Sequence, residues 1–251
     1  MTLPFKEIPH RLYKNTFLQN VFVSYTFQSD EGMVDSPAIK DEFDNFICSQ
    51  FGLEPNDSFP AEPISLSSSD KMISFLFFRN KASVRVGARN YRSFEDSVVP
   101  QVVKLDKFIS LLKVDSVSSL ALRKINIWPI SVDAAMSLSD DAIEIIEREV
   151  FSDDLLSETN VQLDNKEESI PIRKKCEWVN DAIKITVRTA FMRDDRVPKN
   201  KGNLVLDIEV VLNNGTALDE TKDQLLMLND KLFNVYHWCV NSTIIKIMEG
   251  K

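Results

Sequence analysis

From Leu218 to Met248 the chain carries neither proline nor glycine. Leu225, Leu228, Leu232, Tyr236, Cys239, Val240, Thr243, Ile244 and Ile247 step through it by three and four, so they fall on one stripe of a helix. Leu218-Asp219-Glu220-Thr221 opens it with acids at the positive end of the helix dipole. A single helix over the whole stretch is about 45 Å long. That exceeds the core of one small domain, so the helix either spans two packed subdomains or reaches into a partner chain.

Upstream, the pattern alternates between sheet and helix. Val21 to Phe27 reads as a strand, and Ser36-Pro37 then caps a helix whose apolar face runs to Phe51, with Gly52 as its stop. After a proline-rich loop come strands near Ile64–Leu66, Met72–Phe78 and Ser83–Tyr91, the last two joined at Arg79-Asn80-Lys81. A helix follows Tyr91-Arg92-Ser93-Phe94-Glu95-Asp96, then a strand over Leu120–Ile127 and a helix from Ser139. Strands over Ile170–Trp178, Ile183–Phe191 and Leu204–Leu212 precede the last helix, and the latter two alternate cleanly. The order is β-α-βββ-α, twice. Hairpin-linked strands of this kind predict an α+β fold, antiparallel sheets with helices on one face, a pseudo-repeat of topology and a long C-terminal helix. Three segments follow from it: an α+β half over 1–132, an acidic helix and linker over 133–168, and a three-stranded sheet plus helix over 169–251.

Charge is concentrated. The net charge is −8, yet 133–168 alone holds twelve acids against Arg148 and Lys166. The remainder is therefore slightly basic. The acidic segment repels nucleic acid and either stands solvated or faces a basic partner. Three widely spaced cysteines, Cys48, Cys176 and Cys239, fit buried thiols in a reducing cytoplasm. No apolar run is long enough for a bilayer, and the N-terminus lacks the pattern of a signal peptide. The expectation is a cytoplasmic protein with no membrane contact.

The means for chemistry are sparse. The two histidines, His10 and His237, lie almost a chain length apart, and six glycines assemble no phosphate loop. Asp207 and Glu209 share one face of a strand, as in metal-dependent nucleases, but no lysine follows; two acids on a solvent face explain the spacing better. The most distinctive polar set is Arg85, Arg89 and Tyr91, which a strand would present on one face with Gly87 leaving room for a phosphate or carboxylate. Arg123 and Asn126, on a central strand, read as a polar network or an extension of that site. No cofactor or metal is expected, and the balance leans against an enzyme.

Leu3-Pro4-Phe5, Ile8-Pro9 and Tyr13-Lys14-Asn15 resemble the N-terminal signature of an uncharacterised, sporadically distributed prokaryotic family of about this length. Tyr91-Arg92-Ser93-Phe94-Glu95-Asp96 is similar to its strand-to-helix junction, and Leu122-Arg123-Lys124-Ile125-Asn126 to its central strand, with Lys124 replacing an aromatic. The resemblance implies a prokaryotic cytosolic protein from mobile or defence-associated genes and carries no activity. Two functions follow: a dimeric, non-enzymatic module that binds a protein partner (a second copy or a neighbouring gene product), and a nucleic-acid or nucleotide binder using the arginine strand.

Overall fold

The computed structural model describes residues 3–9, 11–13, 16–28, 54–55, 64–78, 80–111, 113–132, 138–158, 172–193 and 198–250. The strands are β1 (Leu18–Thr26), β2 (Glu54–Pro55), β3 (Ile64–Ser67), β4 (Ile73–Phe77), β5 (Lys81–Gly87), β6 (Ser116–Val117), β7 (Ser119–Ser131), β8 (Ile172–Asn180), β9 (Ile183–Met192), β10 (Lys201–Leu212) and β11 (Thr216–Ala217). The helices are α1 (Phe94–Ser97), α2 (Val99–Leu111), α3 (Asp140–Val150), α4 (Asp153–Ser157), α5 (Thr221–Cys239) and α6 (Ser242–Glu249). The helix expected from Ser36 to Phe51 lies outside the described residues.

The fold is α+β with a large antiparallel sheet, in the order β2-β3-β4-β5-β1-β7-β10-β9-β8. The order contains the repeat. In each half a single strand is joined by a three-strand meander whose last strand returns beside it: β3-β4-β5 beside β1, and β8-β9-β10 beside β7. A helix follows each meander, α2 in one half and α5 in the other. The compact units are discontinuous in sequence: Met1–Gln19, Lys124–Val210 and Asp230–Lys251 form one, Asn20–Arg123 and Val211–Asn229 the other.

In the unit built around β1 to β5, alternation places Val21, Val23 and Tyr25 opposite Val86, Val84 and Ala82, all buried. Val84 and Ala82 in turn face Phe75 and Phe77 of β4. Helix α2 covers this face, with the Phe108 ring 5.5 Å from Phe75 and 5.0 Å from Phe77. Ser93 caps α1 by accepting from the Asp96 N–H, Val98 separates α1 from α2, and Pro100 sits in the first turn of α2, where a missing N–H is tolerated. A partly buried polar link crosses the same face. The Tyr25 hydroxyl donates to Asp106 Oδ1 at 2.8 Å, and the Thr221 hydroxyl lies 3.1 Å from Asp106 Oδ2. Burial pushes the Asp106 carboxyl up, and these hydroxyls oppose that shift.

In the other unit, Cys176 and Trp178 of β8 pair with Val187 and Ile185 of β9 on the core face. Leu232, Tyr236 and Cys239 of α5 are buried in this unit's core. The single helix expected to Met248 is two helices. Ser152 donates its N–H to the Cys239 carbonyl at 2.9 Å and its hydroxyl to the Trp238 carbonyl, taking up acceptors that a continuing helix would use for itself. Val240 bridges Phe151, the Asn241 N–H donates to the Val150 carbonyl at 2.8 Å, and the Asn241 side chain caps α6. Helix α5 is thus about 28 Å long. Beyond the break Ile244 and Met248 point inward, while Thr243 and Ile247 are exposed, contrary to a continuous stripe.

Tyr25→Phe removes a donor to a half-buried carboxylate and should cost about 1.5 to 3 kcal/mol, read from urea unfolding at pH 7. An unchanged midpoint would show that Asp106 does not depend on this hydroxyl.

Candidate functional site

The structure separates the residues of the proposed arginine strand. β5 ends at Gly87, whose N–H donates to the Met72 carbonyl at 2.7 Å, and Ala88–Asn90 turn away as a short 3-10 helix. Arg89 is exposed on that turn and Tyr91 lies beyond it, half-buried, with burial raising its hydroxyl pKa. The space beside Gly87 belongs to Met72, whose sulfur would lie 3.0 Å from an added Cβ. Arg85 spends one donor on the Lys71 carbonyl at 2.6 Å, and its Nε is buried without a partner among the described residues. Arg85 pairs across the sheet with Phe22, and the Arg123 guanidinium stands 6.0 Å over the Phe22 ring, so these two arginines come together. Asn126 is buried on the opposite face of β7 from Arg123.

The Asp207–Glu209 pair does not face solvent as expected. Asp207 is 6% exposed because β10 is a central strand, buried along both faces. Arg188 of β9 answers both carboxylates, at 3.4 Å to Asp207 and 3.6 Å to Glu209. On the same face Glu177 sits between Lys184 at 3.1 Å and Lys175 at 3.5 Å. Burial alone would raise the Glu177 carboxyl, but the two lysines together hold it below the usual range. Among the described residues, no three His, Cys, Asp or Glu side chains converge to hold a metal.

The N-terminal segment forms a strap without regular structure. The rings of Phe5, Trp178 and Trp238 meet edge to face, pairwise, at 5.1 to 5.4 Å. The Ile8 N–H donates to Asn234 Oδ1 at 3.0 Å, and Arg11 pairs with Glu249 at 2.6 Å. Tyr13 stacks on Phe233 and hydrogen-bonds His237 Nε2. The described part of the Leu3-Pro4-Phe5 signature thus anchors this segment to α5 and α6; His10, Lys14 and Asn15 lie outside the described residues. Burial, then the Arg11 charge, push His237 down to about 4, with Glu249 opposing. Burial also raises the Cys176 thiol to about 11 and holds that of Cys239 well above its ordinary value. Both thiols and the imidazole are therefore neutral at pH 7.

Sequence reasoning missed an open cleft of about 870 Å³ between α3–α4 and strands β8 and β9. Arg173 binds Glu147 at 2.7 Å and approaches Asp140 at 3.5 Å. Lys174 donates to the Leu156 carbonyl at 2.7 Å, and Arg193 to the Leu138 carbonyl at 2.6 Å. A bulge at Ile172/Lys174 lets the successive residues Arg173 and Lys174 both line the cleft, where regular alternation would send them to opposite faces.

The outer side of α3 and α4 carries the acidity foreseen in sequence. Asp140, Asp141, Glu144, Glu149, Asp153 and Asp154 are all exposed, and Arg148 is spent on Glu144 at 2.8 Å. Among them Ile145 is 61% exposed. Asp141 and Glu149 flank it one helical turn to either side. No protein-family model and no curated protein matches the chain.

The unfolded chain takes up its His237 proton near pH 6.5 and the folded chain only near pH 4. The unfolded state binds more protons between these values, so stability should fall as pH drops through that window. Urea midpoints at pH 7 and 4.5 test this. His237→Gln, which keeps an acceptor for Tyr13, should show a smaller drop than the wild type; an equal drop would place the titration elsewhere.

Proposed function

We propose that this chain is a non-catalytic protein-interaction module whose partner docks on the outer face of α3. The exposure of Ile145 carries this reading. An isoleucine on a long helix face, ringed by carboxylates, is an apolar anchor inside a polar rim, the arrangement of an interaction hot spot. The charges select the partner, since Asp141, Glu149, Asp153 and Asp154, exposed beside the paired Asp140 and Glu144, favour a basic surface with an apolar residue to cover Ile145. A second copy meeting this face to face would bring the same carboxylates together, so the partner is a different chain. The Cys176 and Cys239 thiols, protonated at pH 7, and the Arg188-tethered carboxylates add support, because none of these described groups stands ready as a nucleophile.

Capture from native-host lysate on immobilised full-length chain tests the proposal. The expected catch is a basic protein that elutes with salt. Ile145→Asp should weaken it about tenfold to a hundredfold, the worth of one buried aliphatic side chain, and Asp141→Lys with Glu149→Lys should weaken it further. Circular dichroism confirms that the variants fold. Retention that is insensitive to these changes but lost with Arg85→Ala and Arg123→Ala would contradict the proposal and favour a polyanion on the other unit.

A further inference from the structure

We propose that the cleft between α3–α4 and strands β8–β9 is a binding site for a small monocarboxylate with an apolar body. Ile145 is not among its lining residues, although Asp140 and Glu144 at the edge of the α3 outer face are. Its volume of about 870 Å³ lies within the span of small-molecule sites. Leu138, Ile143, Leu156, Ile172 and Phe191 supply apolar wall, and three cations converge on it.

One wall is built by a glycine. A Cβ at Gly202 of β10 would lie 2.3 Å from the Phe191 ring, so the ring occupies the space where a side chain would stand. The Arg193 guanidinium then lies 5.8 Å from that ring's centre. Gly202 thereby places both the aromatic wall and the cation beside it.

The internal charge balance selects the ligand. Of the lining acids, Glu147 is matched by Arg173 and Glu144 by Arg148, which leaves Asp140. Among the described residues, Lys174 and Arg193 bond uncharged carbonyls and keep donors to spare. Among the described lining residues, two cations against one acid leave a single surplus positive charge. That matches one carboxylate and not a phosphate dianion, and the apolar wall calls for a hydrocarbon body attached to it.

Calorimetric titration of the full chain with 1-naphthoate, 1-naphthyl phosphate and 1-naphthalenemethanol tests the assignment. One naphthoate per chain should bind, and the alcohol should bind at least about tenfold more weakly for want of a charge-assisted bond. Lys174→Met and Arg193→Met should each weaken naphthoate by about tenfold. Because both side chains also hold a backbone carbonyl, Gly202→Ala supplies a test that removes no charge; displacing Phe191 should weaken naphthoate while thermal melts report the folded fraction. The proposal is overturned if none of the probes binds, if the phosphate ester or the alcohol binds as tightly as naphthoate, or if binding survives all three substitutions.

Discussion

The unit that carries both candidate surfaces depends on one short backbone junction. At Val150–Ser152 the chain passes from α3 to α4, and there it meets the end of α5. Ser152 takes the carbonyls of Trp238 and Cys239, while Asn241 returns an N–H to Val150. Three consequences follow from this exchange. Helix α5 stops, α6 starts in a new direction under the Asn241 cap, and α3 and α4 are held in place on either side of Phe151. The inner side of α3 then closes the cleft against β8 and β9, and its outer side presents Ile145 to solvent. The Phe151 ring fills the space beneath, edge to face with Trp128 at 6.0 Å. Backbone groups buried at such a junction need partners, so the exchange stabilises the break as well as causing it.

Charge is handled locally within this unit. Glu177 lies between two lysines, Arg188 spans two carboxylates, and Arg173 holds Glu147 at the floor of the cleft. Breaking such a partly buried set by removing one member costs more than the set contributes when whole. Its role is therefore to fix geometry: it sets which face of the sheet is polar and leaves Lys174 and Arg193 as the cleft's surplus cations. The strap of Phe5, Arg11 and Tyr13 does the same for the end of α5, satisfying Asn234 and His237 where a bare helix would expose them.

Much of the architecture was legible in sequence because it rests on local periodicity. The alternation of Ile183, Ile185 and Val187 and the three-and-four spacing of Leu225, Leu228 and Leu232 describe what the structure contains. The order of strands and helices also showed the repeated topology before the sheet order displayed it. Features set by contacts between distant segments were not legible. The local hint of an end at Val240 is only the capping residue Asn241, since the acceptors that stop α5 are taken by Ser152, 86 residues away from Trp238. Gly87 ends its strand through a bond to Met72, which moves Arg89 and Tyr91 off the expected face. Arg188 reaches Asp207 only through strand register. The cleft draws on residues from Leu138 to Arg193, and its sole local clue was the acidic stretch that includes α3.

Hydrogen–deuterium exchange on the full chain, alone and saturated with the protein it captures, tests the central claim most directly. Slowed exchange over 140–150, with 81–91 unchanged, is the result this account predicts. Slowed exchange over 81–91 with 140–150 unaltered would contradict it and move recognition to the arginines around Phe22.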